Sequence, residues 1–192
     1  DDKFPPHFMI ANWYSFYKNH TIETDFVDIP SEFLTYLYDE HFIHPGDYFK
    51  NEIIEITRFK SNINHCIKKY NGNVFIKLLW SSPKDSGWLM VNGKAIASSF
   101  EDICLMLKNS DRLHEVLTSI KGSKQFLELA VRKFIEIDYS MEFRCVIKDS
   151  TFIACCQRDL STFYPFLENE KDNIIFSITE FLKDRFFPVW KY

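Results

Sequence analysis

Glycine is scarce in this chain, with five in 192 residues. None of the glycine-rich phosphate-binding signatures occurs. There is no Gly-x-x-x-x-Gly-Lys loop, no Gly-x-Gly-x-x-Gly turn and no Gly-x-Ser-x-Gly elbow. Any nucleotide site must therefore use a different scaffold. No apolar run reaches the roughly 18–20 residues needed to span a bilayer, so no membrane association is expected. The opening Asp1-Asp2-Lys3-Phe4-Pro5-Pro6 has no basic segment leading into an apolar one, so no secretory signal is expected. Excess positive charge is lacking too: 23 Lys and Arg stand against 27 Asp and Glu, a net charge of −4. That argues against direct nucleic-acid binding, which needs a basic footprint. The five cysteines, Cys66, Cys104, Cys145, Cys155 and Cys156, form no Cys-x-x-Cys pair. An odd, scattered set is expected to be reduced thiols of a cytoplasmic protein rather than a disulfide framework.

What the chain has in quantity is apolar and aromatic mass. Apolar residues make up 46%, aromatics 17%, and 20 residues are Phe. A large-ringed, filled core is expected. The length suits a single domain of roughly 100–200 residues.

Periodicity supplies the elements. Trp13 to Tyr17 is an aromatic cluster, and Ile22 to Ile29 is strand-like. Pro30-Ser31 opens a short helix carrying Phe33, Leu34 and Leu37. His44-Pro45-Gly46-Asp47 reads as a turn. His41 and His44 are three apart but lack nearby partner ligands, so they read as surface or packing residues. Ile53 to Tyr70 recurs at helical spacing and is stopped by Asn71-Gly72-Asn73. Val74 to Leu79 is a buried strand. Trp88 to Val91 and Lys94 to Ala97 flank Asn92-Gly93, a strong hairpin signal. Ser98 and Ser99, each three residues before an acid, start a helix through Leu107. A second helix is expected over Asp111 to Ile120. Gln125 to Ile137, Met141 to Lys148 and Thr151 to Gln157 read as successive strands, the last two joined tightly at Asp149-Ser150. Asp172 to Phe186 is helical, with Ile174, Ile175, Ile178, Phe181 and Leu182 on one face. Mixed rather than strictly alternating elements favour an α+β fold.

Two constellations bear chemistry. Lys77 sits mid-strand among apolar residues, where a charge is costly unless paired. It is either an edge-strand lysine reaching solvent along its stem or a phosphate-binding lysine. The following turn, Trp80 to Trp88, holds Ser81, Ser82 and Asp85. It is either an anion cradle or a turn packed by its tryptophans. The second constellation is charge on the later strands. Arg132 and Lys133 interrupt an apolar run, Arg144 shares a strand face with Glu142, and Arg158-Asp159 ends the next strand. Cations on neighbouring strands suit phosphate oxygens. The alternative is a solvated face with ordinary ion pairs, such as Glu128 or Glu142 with Arg144.

The order of these segments resembles the cell division cycle protein 123 family. Trp13-Tyr14-x-Phe16 and Ile29-Pro30 with Tyr36-Leu37 look like its N-terminal signature. Phe75-Ile76-Lys77-Leu78-Leu79-Trp80-Ser81-Ser82-Pro83-Lys84-Asp85 is similar to its most distinctive block. Leu105-Met106-Leu107-Lys108-Asn109-Ser110-Asp111, Leu129-Ala130-Val131-Arg132-Lys133-Phe134, Glu142-Phe143-Arg144-Cys145 and Gln157-Arg158-Asp159 follow in the family's order. The family's acidic insertion is replaced by a short stretch around residues 47–51.

The resemblance implies an ATP-grasp-like two-lobed fold forming one domain over 1–192. The N-terminal lobe is expected at about 1–122 and the C-terminal lobe at about 123–192. By the same resemblance, Lys77 and Arg144 meet the phosphates of ATP. Trp80, Ser81, Ser82 and Asp85 line the adjoining loop. Arg132, Lys133 and Phe134 sit at an adenine-side hinge, and Arg158 adds charge. The family's Asp strand and Asp-Phe-Asn-Pro-Phe-like block, which hold Mg²⁺, do not occur within these residues. The fold is therefore expected without its C-terminal metal-binding section. The implied function is that of a monomeric, non-enzymatic assembly chaperone. It would bind the gamma subunit of eukaryotic translation initiation factor 2 and promote subunit joining. The alternatives are an ATP-dependent carboxylate–amine ligase and a shortened, nucleotide-free interaction module.

Overall fold

A computed structural model of the chain describes residues 8–41, 43–51, 53–90, 93–121 and 127–190. Its contacts divide the chain into two units, Asp1–Phe134 and Ile135–Tyr192. Helices and strands are mixed in both, as the sequence predicts.

The first unit is built on an antiparallel sheet of three strands: β1 (Thr24–Asp28), β2 (Val74–Leu78) and β3 (Glu128–Lys133). The order is β1-β3-β2, so β3 is central and β2 lies at an edge. Directly opposed residues share a face of such a sheet. One face carries Val27, Val74, Ile76, Leu78, Leu129 and Val131, all buried. It packs into a core with α2 (Ser31–Tyr38), α4 (Ile54–Lys69), α5 (Phe100–Lys108) and α6 (Asp111–Ile120). An aromatic cluster sits at its centre. Phe33 is fully buried and lies within 4.8–6.1 Å of the rings of Tyr36, Phe49, Phe59 and Phe100.

Local chemistry explains the helices. In α4, Ile56, Phe59, Ile63, Cys66 and Ile67 recur at three- and four-residue spacing, and all are buried. Lys69 in its last turn reaches both oxygens of Asp25 on β1, at 2.8 and 2.7 Å. Asn71, with φ of 60°, and Gly72, with φ of 89°, end it in left-handed conformations. Helix α5 starts at a capping box. Ser99 Oγ accepts from the Asp102 N–H at 3.0 Å and Asp102 Oδ2 accepts from the Ser99 N–H at 3.0 Å. Of the two candidate boxes in the sequence, Ser99 with Asp102 is the one that forms. The C-terminal carbonyls of α2 are met from afar. Lys108 Nζ donates to Tyr36 O at 2.5 Å and also to Asp39 O, satisfying acceptors that a helix end leaves unpaired.

Several boundaries differ from the sequence reading. The Trp13–Tyr17 cluster belongs to a helix, α1 (Ile10–Tyr17), and the His44–Asp47 turn is the start of a short one, α3 (Pro45–Tyr48). The strands expected to flank Asn92-Gly93 do not form among the described residues. Val91 and Asn92 lie outside the described residues. Trp88 and Leu89 belong to a 3₁₀ segment, Lys84–Leu89, and residues 93–96 are not in a strand. Close packing explains this. A Cβ on Gly87 would stand 3.0 Å from Gly93 O and Ala95 N, so the two segments meet backbone to backbone without pairing. Ala97 instead makes a bridge to Val74. Gln125 and Phe126 of the expected third strand are outside the described residues. At its other end β3 stops at Lys133: the Phe134 N–H makes one more bond in the ladder register, to Asn73 O at 3.3 Å, and beyond it the opposed segment turns at Gly72 and Asn71.

The second unit holds the hairpin β4 (Phe143–Lys148) and β5 (Thr151–Gln157), then α7 (Phe166–Phe181) running into a π-helical stretch, Leu182–Phe186. Asp149 and Ser150 join the strands with φ of 49° and 55°, the double positive φ of a two-residue turn. Helix α7 begins six residues earlier than Asp172. Of its expected apolar face, Leu182 is buried, Ile174 and Ile178 are half-buried, and Ile175 and Phe181 are exposed.

Candidate functional site

The sheet face turned away from the core carries Phe75 and Lys77 of β2, Glu128, Ala130 and Arg132 of β3, and Thr24, Phe26 and Asp28 of β1. Lys77 is opposite Ala130, and Arg132 is opposite both Phe75 and Thr24. Lys77 and Arg132 are thus diagonal neighbours, a spacing of about 7–8 Å between strands. The Lys84 ammonium stands 5.9 Å from the Phe75 ring centroid, which brings a third cation to this face. Acidic residues occupy its other end. Glu128 faces Asp28, and burial, with Asp28 beside it, pushes the Glu128 carboxyl up.

Arg132 is held in place. Its Nε donates to Thr24 Oγ1 and its Nη2 to Thr21 Oγ1, both at 3.1 Å. Burial lowers its pKa, and the adjacent Tyr14 phenol opposes that. Tyr14 also ties α1 over this region. Its hydroxyl accepts from the Thr24 N–H at 2.8 Å, and its ring meets Phe26 edge-on at 5.4 Å. Lys133 points to the opposite face, where its Nζ lies 3.5 Å from Glu23 Oε1. The N–H groups of Lys133 and Phe134 donate to Glu23 O and Asn73 O. Arg132 and Lys77 are therefore brought together and Lys133 is not. Lys84 was missed as a site residue, because only the tertiary path of the turn carries it over Phe75.

The turn after β2 is tight. Leu78 and Ser81 exchange two backbone hydrogen bonds at 2.9 and 3.0 Å, with Leu79 at φ of 54°. That is a region an L-residue with a bulky side chain seldom occupies. Ser81 and Ser82 are buried. Asp85 is committed to α6. Its Oδ1 accepts from Ser110 Oγ at 2.7 Å and its Oδ2 from the Arg112 N–H at 3.1 Å. Ser110 is the N-cap of α6 and accepts in turn from the Leu113 N–H. Desolvation opposes the charge on Asp85, but these bonds hold its carboxyl below the usual carboxylate range. Trp80 and Ser81 line a surface depression of about 810 Å³ with Arg112, His114, Glu115 and Val116. Lys77, Lys84 and Arg132 are not among its lining residues.

In the second unit Arg144 is exposed on β4, opposite Cys156. It makes no ion pair among the described residues. The partner of Glu142 is Arg158 rather than Arg144, with Nη1 to Oε1 at 2.7 Å. Asp159 accepts from the Ser161 hydroxyl and N–H at 2.6 and 2.9 Å, and these bonds hold its carboxyl well below the usual range.

On the first unit's face Lys77, Lys84 and Arg132 are donors of the kind that suits phosphate oxygens, beside the Phe75 ring. For Mg²⁺ the fit is poorer. Among the described residues no group of three or more His, Cys, Asp or Glu side chains gathers to hold a metal. Among them, also, no helix is long and apolar enough to cross a membrane.

Comparison with known proteins places the chain. Residues 48–191 match the sequence profile of the D123 family. A protein of Dictyostelium discoideum named translation initiation factor eIF2 assembly protein is 36% identical over 142 residues, 69% of this chain and 37% of its own length. One of the same name from Botryotinia fuckeliana is 27% identical over 91% of this chain and 52% of its own length. The chain thus spans about half the length of these relatives or less. The solved structure of Cdc123 from Schizosaccharomyces pombe matches with a TM-score of 0.79 at 27% identity, covering 95% of this chain and 74% of that one. With three quarters of its length in the family profile and this structural agreement, the chain belongs to the D123 family.

Proposed function

We propose that this chain acts in the assembly of eukaryotic translation initiation factor 2 in the cytoplasm. In this reading it is a non-enzymatic chaperone on an ATP-grasp-like scaffold. It engages the gamma subunit, promotes subunit joining and binds ATP. One observation carries the nucleotide part: Lys77, Lys84 and Arg132 share the sheet face outside the core. The names of the relatives, assembly proteins of this factor, support the rest.

The residues take distinct roles. Lys77 and Lys84 contribute ammonium donors on flexible stems, suited to phosphate oxygens as point charges. Arg132, anchored by Thr21 and Thr24, adds a planar donor group whose position is fixed before ligand arrives. Arg144 of the second unit, exposed and in no ion pair among the described residues, leaves its guanidinium open to an anion on that unit. Arg158, already paired with Glu142, acts mainly to hold the end of the hairpin. Asp85 shapes the loop through Ser110, and Trp80, Ser81 and Ser82 form its packed base. Lys133 and Phe134, whose N–H groups are taken by Glu23 O and Asn73 O, have only their backbone carbonyls to contribute from the main chain.

Calorimetry with Mg-ATP tests the nucleotide part. Saturable binding is expected; a folded chain that takes up no heat with ATP overturns it, in favour of a nucleotide-free interaction module. Co-precipitation with isolated gamma subunit tests the partner. Failure to retain it, where a longer D123 protein does, overturns that assignment.

A further inference from the structure

Cys145 on β4 and Cys155 on β5 are directly opposite each other in the hairpin. Opposed residues of an antiparallel pair share a face, and both thiols are half-buried there. Their backbones meet the geometric requirement for a disulfide. Opposed Cα atoms lie about 4.5–5.5 Å apart, inside the roughly 4.4–6.8 Å that a disulfide spans. Cys156 is different. It is exposed, opposite Arg144, and alternation turns it to the other face. Its neighbour Cys155 is no partner for it either, because adjacent Cα atoms are about 3.8 Å apart, below the usual disulfide range. Cys66 and Cys104 are buried in the core of the first unit.

We propose that Cys145 and Cys155 form an oxidisable dithiol, a modification site that hydrogen peroxide converts into a disulfide across the hairpin. The chemistry balances in two steps. The Cys155 thiolate attacks peroxide; an S–O bond forms, the O–O bond breaks and hydroxide leaves. The Cys145 sulfur then attacks the sulfenic sulfur; the S–S bond forms, the S–O bond breaks and the oxygen departs as water with the Cys145 proton. Burial, with Cys155 and Cys156 close by, pushes the Cys145 thiol up. That suits Cys145 to the resolving role rather than the attacking one. The bond closes a loop over Val146 to Ala154. It pins the register on the side of the irregularity between Val146 and Ile147 that lies away from the turn. Arg144, next to the bridge, is held with it.

The test is mild peroxide treatment of the folded chain, alkylation of remaining thiols, and peptide mapping by mass spectrometry. One bridge, Cys145 to Cys155, is expected in the wild-type chain and in Cys156→Ser, and none in Cys145→Ser or Cys155→Ser. Phenylarsine oxide supplies a measurement without oxidant, since its As(III) condenses with two thiols and releases water. It should add once to the wild type and to Cys156→Ser and not to the other two variants. A bridge that includes Cys156, or two alkylatable thiols at 145 and 155 after Cys156 has been oxidised, overturns the proposal. So does an arsenical adduct that survives Cys145→Ser.

Discussion

Phe75 stands directly opposite Arg132 in the ladder between β2 and β3. The Phe75 ring also carries the Lys84 ammonium at 5.9 Å, and Lys77 follows two residues later on the same face. This pairing is what gathers cations from three separate places in the sequence. A hydrogen bond to a charged group is worth about 1.5–3 kcal/mol. Lys77→Ala should therefore weaken Mg-ATP binding by roughly ten- to a hundredfold in calorimetry while the circular dichroism spectrum stays the same. Arg132→Lys keeps the charge but loses the fixed fork, so a smaller loss is expected. Unchanged affinity in both variants would remove this face from the nucleotide site.

Asp85 should matter for stability and in a pH-dependent way. Its carboxylate is tied to Ser110 and to the first turn of α6. Asp85→Asn should cost about 1 kcal/mol at neutral pH, the usual size of a lost helix-start bond. The folded-state pKa lies below the ordinary one. The stabilisation is therefore complete above about pH 4 and is lost as pH falls through the lower, folded value. Urea titrations at several pH values should show the difference between wild type and variant shrinking on the acid side. A difference that grows on acidification would contradict this.

Tyr36 offers a gain. Its side chain is fully buried, and its hydroxyl has no hydrogen-bond partner among the described residues. Burial, with Cys104 and Tyr48 nearby, pushes the phenol pKa up. A buried unsatisfied hydroxyl costs about 1–3 kcal/mol. Tyr36→Phe should therefore leave stability unchanged or raise the urea midpoint. A marked drop in the midpoint would mean the hydroxyl does have a partner.

Gly87 sits in a tight place. A Cβ there would meet backbone atoms of Gly93, Lys94 and Ala95 at 3.0–3.1 Å, and backbone cannot swing aside as a side chain does. Gly87→Ala should destabilise by about 1–3 kcal/mol, the cost of overpacking, read as a lowered thermal midpoint. A neutral result would show that the 93–95 segment yields.

Much of the fold was legible because its signals are local. The spacing of Ile56, Phe59, Ile63 and Cys66 marks α4, the Ser99–Asp102 box marks the start of α5, and Asp149-Ser150 marks the β4–β5 turn. Asn92-Gly93 misled because a turn-forming pair is only a permission. Beside it the chain takes a 3₁₀ path through Trp88 and Leu89, with Gly87 packed close to residues 93–95, a contact that nothing nearby in the sequence announces. The extent of β3 was overestimated for a similar reason. Its apolar run continues past Lys133, but its partner does not: beyond the Phe134 N–H bond to Asn73 O the neighbouring segment turns at Gly72 and Asn71, which end α4.

For the candidate site the division is similar. The sequence alone determined that Lys77 is a charge within an apolar strand, that Ser81, Ser82 and Asp85 follow it, and that the segments stand in the order of one family. Alternation and segment order are properties of the chain itself. Only the tertiary structure decided which charges meet. The β1-β3-β2 order and its register put Arg132 with Lys77 and sent Lys133 to Glu23. The path of the turn brought Lys84 over Phe75, and the docking of α6 engaged Asp85. Register and docking are settled by burying one sheet face against four helices, and that free energy belongs to the whole unit rather than to any short segment.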